Sequence, residues 1–157
     1  MEVRYLTVFA AFLVVVVAIA AAGCGSGSDS GSGEDFAETR LPMAAYAHKT
    51  DLICGEGSVE QGELAGAYLE KHPHTKEVDL VIPAAVPPIE KEITELHELG
   101  LPKGHEEEAE VFVGEMEAAL EALKEEPKGA LSQKDNPFNK TNELGEKLGL
   151  GDCSRNP

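Results

Sequence analysis

The sequence predicts an all-α fold, a small bundle of about four to five helices in residues 36–157. Apolar side chains recur there every three to four residues, and Pro and Gly interrupt the pattern at intervals. The chain of 157 residues has five Phe, three Tyr and no Trp, so Ala, Leu, Val and Ile must fill the core. Such a core suits the packing of helix on helix better than a β-sandwich. The length is that of one domain with one modest core.

The protein is strongly acidic, with a formal net charge of −16. A surface of this sign repels the phosphates of nucleic acids, so we expect no nucleic-acid partner. It also repels anionic lipid headgroups. Any attachment to a membrane must therefore depend on something other than surface charge.

Residues 1–23 have the pattern of a secretory signal peptide. Arg4 is the one basic residue ahead of an uncharged apolar run over residues 5–22, and small residues close that run. The run has about 18 residues, which is near the lower limit for crossing a bilayer. An uncleaved transmembrane anchor and an ordinary secretory cleavage are therefore alternatives.

The segment Ala21-Ala22-Gly23-Cys24 resembles the lipobox of bacterial lipoprotein precursors, which usually has Leu, Val or Ile where this chain has Ala21. The resemblance implies that a diacylglycerol is joined to the Cys24 thiol and that the chain is cut just before it. Two acyl chains anchor a protein stably, because each buried CH₂ contributes about 0.8 kcal/mol. The resemblance thus implies a lipid anchor on the extracytoplasmic face of the cell membrane.

A flexible tether is predicted after the anchor, over residues 24–35. Residues 25–33 consist of Gly, Ser and one Asp. A chain of this composition has an r.m.s. span of about 17 Å over about 10 residues. It would hold the acidic helical domain, residues 36–157, away from the membrane surface.

The cysteine count predicts a disulfide once the lipobox resemblance is accepted. The three cysteines are Cys24, Cys54 and Cys153. Lipidation of Cys24 leaves one pair, which should oxidise outside the cytoplasm. That bond closes a loop of about 100 residues, for which the chain-entropy model gives about 4.7 kcal/mol. A metal-binding pair and a catalytic thiol are the alternatives, although neither cysteine has another Cys or His at ligand spacing.

Two helices are predicted in the first half of the domain. The first begins at Met43 and ends at Gly55 and Gly57. The second begins at Ser58, in a capping-box pattern, and stops before Pro73. The inward faces carry Met43, Tyr46, Ala47, Thr50, Ile53 and Cys54 in the first helix and Leu64, Ala65, Tyr68 and Leu69 in the second.

Residues 78–86 do not fit one pattern, because Pro83 forbids a regular strand interior and disrupts a helix. We predict a helical turn or irregular chain there. Pro87-Pro88 then opens a helix that ends at Gly100. Its inward face carries Ile89, Ile93, Leu96 and Gly100.

The clearest helix spans residues 105–125 and ends at Pro127 and Gly129. The last helix is predicted to start at Asp135-Asn136-Pro137 and to end at Gly149, with Leu150 folding back in a Schellman motif. The inward face of the helix over residues 105–125 carries Ala109, Phe112, Val113, Met116, Ala119, Leu120 and Leu123. The inward face of the last helix carries Phe138, Thr141, Leu144, Gly145 and Leu148.

The chain after the signal peptide also resembles a type of small exported actinobacterial protein, usually a lipoprotein, to which no activity is assigned. The residues that carry this resemblance are Ile53-Cys54, Val86-Pro87-Pro88, Leu101-Pro102 and Leu148-Gly149-Leu150 shortly before Cys153. Most of them mark helix ends. The resemblance implies a helical fold and the disulfide, and it implies no specific activity.

Few residues are candidates for chemistry. His72 and His74 lie in a turn between two acidic residues, where imidazoles and carboxylates can bind Zn²⁺ or Cu²⁺, but a solvated polar turn is the simpler interpretation. His97 borders the apolar stripe of its helix, and we expect an ordinary edge histidine. His105 and Glu108 form a weaker ligand pair at a helix start. The glutamates of residues 105–126 are expected to form a solvated helix face rather than an acid–base pair.

These patterns favour a non-enzymatic interaction or accessory module of the cell envelope, with no cofactor and with a cationic or polar protein partner. The alternative is a binding protein for a small molecule, such as a lipid, or for a metal. An Ala-rich bundle can leave an apolar pocket for the former. An enzyme is the third hypothesis, but no established catalytic motif is present in the sequence.

Overall fold

The computed structural model describes residues 40–155, so the predicted signal peptide, Cys24 and the tether lie outside the described residues. Within this range, no helix is both long and apolar enough to span a bilayer. The all-α prediction is confirmed. The elements are α1 Met43–Lys71, α2 Glu77–Leu99, α3 Glu106–Glu125, a 3-10 turn Pro127–Leu131, α4 Asn139–Leu148 and a 3-10 turn Cys153–Arg155.

Each helix packs against the next one along the chain, α1 on α2, α2 on α3 and α3 on α4. Short connections, residues 72–76 and 100–105, make α1 and α2, and α2 and α3, antiparallel neighbours, whereas the longer segment 126–138 joins α3 to α4. The turn Pro127–Leu131 contacts α2 and α3, and the turn Cys153–Arg155 contacts α4 and returns to α1. The largest fully buried core side chains are Tyr46, Phe112, Phe138, Ile89, Leu96, Met116, Leu123 and Leu150.

α1 is one continuous helix, so the prediction of two helices divided at Gly55 and Gly57 is wrong. Neither glycine has a positive φ. Gly57 is buried, and a β-carbon at this position would overlap the side chain of Glu92 on α2. Ser58 does not begin a helix either, because it lies inside α1. Its hydroxyl donates a hydrogen bond to the Cys54 carbonyl one turn earlier, at 3.0 Å, and does not cap a helix start. Gly57 therefore permits close packing of two helices instead of ending one.

The inward face predicted for the first half of α1 is confirmed. Tyr46, Thr50 and Cys54 are buried, and the other predicted residues are partly buried against the core. The face predicted for the second half is less covered, and Leu69 is 40% exposed. α1 therefore belongs fully to the core only as far as Gly57.

Residues 78–86 are helical and continuous with the segment that follows, so α2 contains Pro83, Pro87 and Pro88. Of the two predicted alternatives, the helical turn has the right conformation and the irregular chain is wrong, and the predicted helix start at Pro87-Pro88 is wrong because α2 already begins at Glu77. A proline in a helix interior removes one donor and clashes with the preceding turn, at a cost of about 3 kcal/mol. Burial offsets that cost, because Ala84, Ala85 and Pro88 all lie in the interior.

The seven residues predicted for the inner face of α3 are all buried. α4 begins at Asn139, two residues later than predicted. Asn136 still organises this start, because its side-chain oxygen accepts a hydrogen bond from the Phe138 N–H at 2.8 Å. Phe138 and Thr141 are buried as predicted.

The predicted Schellman motif at the end of α4 is confirmed. Gly149 has a φ of 74° and donates its N–H to the Glu146 carbonyl at 3.1 Å. The Leu150 N–H reaches back to the Gly145 carbonyl at 2.8 Å. Leu150 is fully buried, so this turn directs the chain into the core just before Cys153.

Candidate functional site

A groove with an apolar floor runs along the contact between α2 and α3. It consists of two adjoining hollows of about 390 Å³ and about 370 Å³ that share Glu117. Ile93 and Leu96 of α2 and Val113 and Leu120 of α3 form its floor. These side chains belong to the core and are at most 8% exposed, so the groove reaches the outer edge of the core without uncovering it.

Carboxylates border this groove at regular spacing. Glu110, Glu117 and Glu121 line it from α3, and residues seven and eleven apart lie on one face of a helix. Gly114 occupies the same face, is exposed and has no neighbouring atom within 4 Å of where a β-carbon would stand. Its missing side chain leaves the groove open between the carboxylates. Glu90 adds a fourth carboxylate from α2.

Polar contacts cross the groove between the two helices. His97 Nε2 and Glu117 Oε1 form a hydrogen bond of 2.7 Å. Lys124 Nζ forms an ion pair with Glu90 of α2 at 2.9 Å and one with Glu121 of its own helix at 2.8 Å. The hydrogen bonds that Lys124 donates to Glu121 first, and then to Glu90, raise the pKa of Lys124 above its ordinary value of 10.5.

All of these side chains are solvent-accessible, and exposed polar contacts and ion pairs contribute little to stability. They can therefore be exchanged for pairs with another molecule at small cost. Glu110, Glu117 and Glu121 are exposed, which confirms the solvated helix face predicted for the glutamates of residues 105–126 at these three positions. The apolar floor beside them was missed, because it depends on how α2 and α3 pack.

The disulfide is present between Cys54 and Cys153, whose Cα atoms are 5.2 Å apart across a sequence separation of 99. Both cysteines are buried. Beside them, the backbone N–H of Asp152 donates a hydrogen bond to the Asp51 carboxylate at 3.0 Å. The bond joins the middle of α1 to the C-terminal turn. The two sulfurs are thus neither a metal-binding pair nor a free catalytic thiol.

The histidines among residues 40–155 are all exposed. His72 lies next to the Tyr68 ring, with ring centroids 4.5 Å apart, and His74 lies in the turn between α1 and α2. His105 is the residue just before α3. In the described range, no group of three or more His, Cys, Asp or Glu side chains is placed to hold a metal ion. The structure therefore does not bring a third ligand to His72 and His74.

Glu92 is a buried residue that the sequence reasoning missed. It lies on the inner face of α2, only 2% exposed, with its side chain packed on the backbone of Gly57. The spacing of the sequence does indicate this burial. Glu92 follows Ile89 by three residues and precedes Leu96 by four, which places it on the apolar stripe of the helix. Only the packing of α1 on α2 shows what it contacts.

No protein-family model, curated protein or solved structure matches this chain.

Proposed function

We propose that this protein is a lipid-anchored module on the extracytoplasmic face of the cell membrane, which acts by binding a cationic protein segment and not by catalysis. Cys24, at the end of a segment that resembles a lipobox, would carry the anchor, and residues 25–33 would be the tether. The Cys54–Cys153 disulfide supports this location, because structural disulfides persist in oxidising compartments.

The groove between α2 and α3 is the observation that carries the proposal. Its apolar floor and its border of Glu90, Glu110, Glu117 and Glu121 fit a segment with apolar residues on one side and Lys or Arg on the other. An amphipathic helix that lays its apolar face into a groove binds in this way. The net charge of −16 favours such a partner further, since it attracts cations over distances beyond direct contact.

The binding proposal is tested with a defined probe. An amphipathic helical peptide of Lys and Leu is titrated into the full chain in lipid nanodiscs, and a peptide of the same pattern with Glu in place of Lys serves as its control. We expect the Lys peptide to shift the NMR signals of Val113 and Leu120, with an affinity that falls as salt is added. Equal binding of both peptides, or no shift at these residues, would contradict the proposal.

A charge-matched pair of variants separates the groove from the overall charge. Substituting Glu110, Glu117 and Glu121 together with Gln should lower the affinity for the Lys peptide by about tenfold. This corresponds to about 0.5 kcal/mol of binding free energy for each exposed charge pair. The same substitution at three exposed carboxylates outside the groove, Glu125, Glu143 and Glu146, should change affinity by less than about twofold. Equal losses in both variants would mean that net charge alone attracts the peptide.

The location is tested by the intact mass of the non-reduced protein extracted from host membranes. The proposal requires the mass of residues 24–157 plus acyl groups, less two hydrogens for the disulfide. A mass equal to the whole chain of 157 residues would contradict the lipid anchor and favour a retained transmembrane segment.

A further inference from the structure

A small cavity lies between the second half of α1, the start of α2, the end of α3 and the turn Pro127–Leu131. Its volume is about 170 Å³, and it is separate from the groove between α2 and α3. The wall is mostly apolar, with Ala65, Val81, Ala84, Leu123 and Ala130 among its residues. A cavity with such walls favours an apolar occupant over water, which needs polar partners.

The cavity exists because small side chains occupy positions where the elements converge. Ala84 is buried and Ala65 and Ala130 are partly buried, yet each ends at its β-carbon. No side chain of residues 40–155 fills the space that they leave. An enclosed apolar cavity of about 150 Å³ is large enough to bind benzene, so this cavity of about 170 Å³, which is open to solvent on one side, has room for a group of about six carbons.

Two of the residues that line the cavity are polar. They are Gln61, which is partly buried, and Glu77, which is exposed. Neither side chain makes a hydrogen bond or ion pair with any other part of the described range. A carboxylate and an amide next to an apolar cavity favour a ligand that presents a donor or a positive charge there.

We propose that this cavity binds a small amphiphile, with an apolar group of about six carbons inside and an ammonium group at Glu77. The proposal is independent of the groove, since the two share no residue. It also does not require Cys24 to be lipidated.

Three ligands with the same six-carbon apolar chain test the proposal: hexylammonium, 1-hexanol and heptanoate. They are titrated separately into the full chain in lipid nanodiscs, and the methyl signals of Val81 and Leu123 are followed by NMR. We expect saturable shifts, with hexylammonium binding about twofold more tightly than hexanol, which corresponds to about 0.5 kcal/mol for one exposed charge pair, and with heptanoate binding most weakly. Glu77→Gln should make the affinities of hexylammonium and hexanol equal. Failure of the signals to saturate, or tightest binding of heptanoate, would overturn the proposal.

Filling the cavity is the second test. Ala84→Leu should abolish the shifts for all three ligands, and Ala130→Leu should do the same if the first variant fails to fold. Ala122→Leu, at an exposed position of α3, is the control that should bind normally. Unchanged binding in a folded Ala84→Leu protein would place the ligand elsewhere, for example in the nanodisc lipids, and would overturn the assignment.

Discussion

Gly57 of α1 lies against the buried side chain of Glu92 of α2, so closely that a β-carbon on residue 57 would overlap the Glu92 carboxyl group. Neither residue can change without affecting the other. The contact lies one turn beyond Cys54, at the end of the part of α1 that is fully buried. It therefore sets the distance between α1 and α2 close to the disulfide.

Gly57→Ala should destabilise the protein by about 1–3 kcal/mol, because forcing an extra carbon into a packed interior shifts its neighbours. The helix preference of Ala would otherwise stabilise α1 by about 0.5–1 kcal/mol. Urea unfolding measures the difference. Gly62→Ala on the same helix is the control, since nothing lies within 4 Å of its β-carbon, and it should stabilise the protein. A stabilising Gly57→Ala would mean that Glu92 moves aside freely.

Loss of the disulfide should destabilise the protein by about 2–5 kcal/mol. The bond spans 99 residues, so it restricts most of the unfolded chain. Cys54→Ala with Cys153→Ala, compared with the parent protein by urea unfolding, measures the effect. Reductant should destabilise the parent protein by a similar amount and leave the double variant unchanged. Sensitivity of the double variant to reductant would contradict this explanation.

Tyr46→Phe should leave stability unchanged or raise it by up to about 1 kcal/mol. The Tyr46 hydroxyl is buried and has no hydrogen bond of good geometry within residues 40–155. Burial raises the pKa of this phenol, and the nearby Thr50 hydroxyl opposes the shift. Thermal unfolding is the measurement, with Tyr68→Phe at a partly exposed position as the control. A loss of more than about 1 kcal/mol would show that the hydroxyl has a partner.

Glu106 should titrate below the ordinary range of a glutamate. Hydrogen bonds from the N–H groups of Glu106 and Gly104, and then from Arg40, lower its pKa below the ordinary 4.5. The contribution of ionised Glu106 to the free energy of unfolding is therefore fully present above pH 4.5. It is lost as the pH falls through the lower pKa of the folded state. Carboxyl NMR titration measures the midpoint.

Arg40→Gln tests the cause of that shift, because Arg40 Nη1 lies 2.7 Å from Glu106 Oε1. The variant should move the Glu106 midpoint towards 4.5. Arg155→Gln removes a charge from the opposite end of the described range and should leave the midpoint in place. Equal effects of the two variants would indicate a response to net charge and not to the contact.

Local signals in the sequence predicted the better part of the fold. The apolar stripe of α3 and the Gly149–Leu150 ending of α4 were both predicted correctly, because each depends on contacts within about one turn of the chain. The disulfide was predicted from the cysteine count. The predicted division of α1 at Gly57 was wrong. A glycine can end a helix or permit close packing of two helices, and a single sequence does not distinguish these two roles.

The sequence by itself determined the helical class, the acidic surface, the cysteine pair and the pattern that resembles a lipobox, since composition and short-range periodicity specify these. The tertiary structure decided what residues far apart in the chain form together. It kept α2 helical through Pro83, buried Glu92 against Gly57, and placed Glu110 and Glu117 beside an apolar floor. The physical reason is that burial energy depends on which helix faces meet, and that choice is made by the whole core.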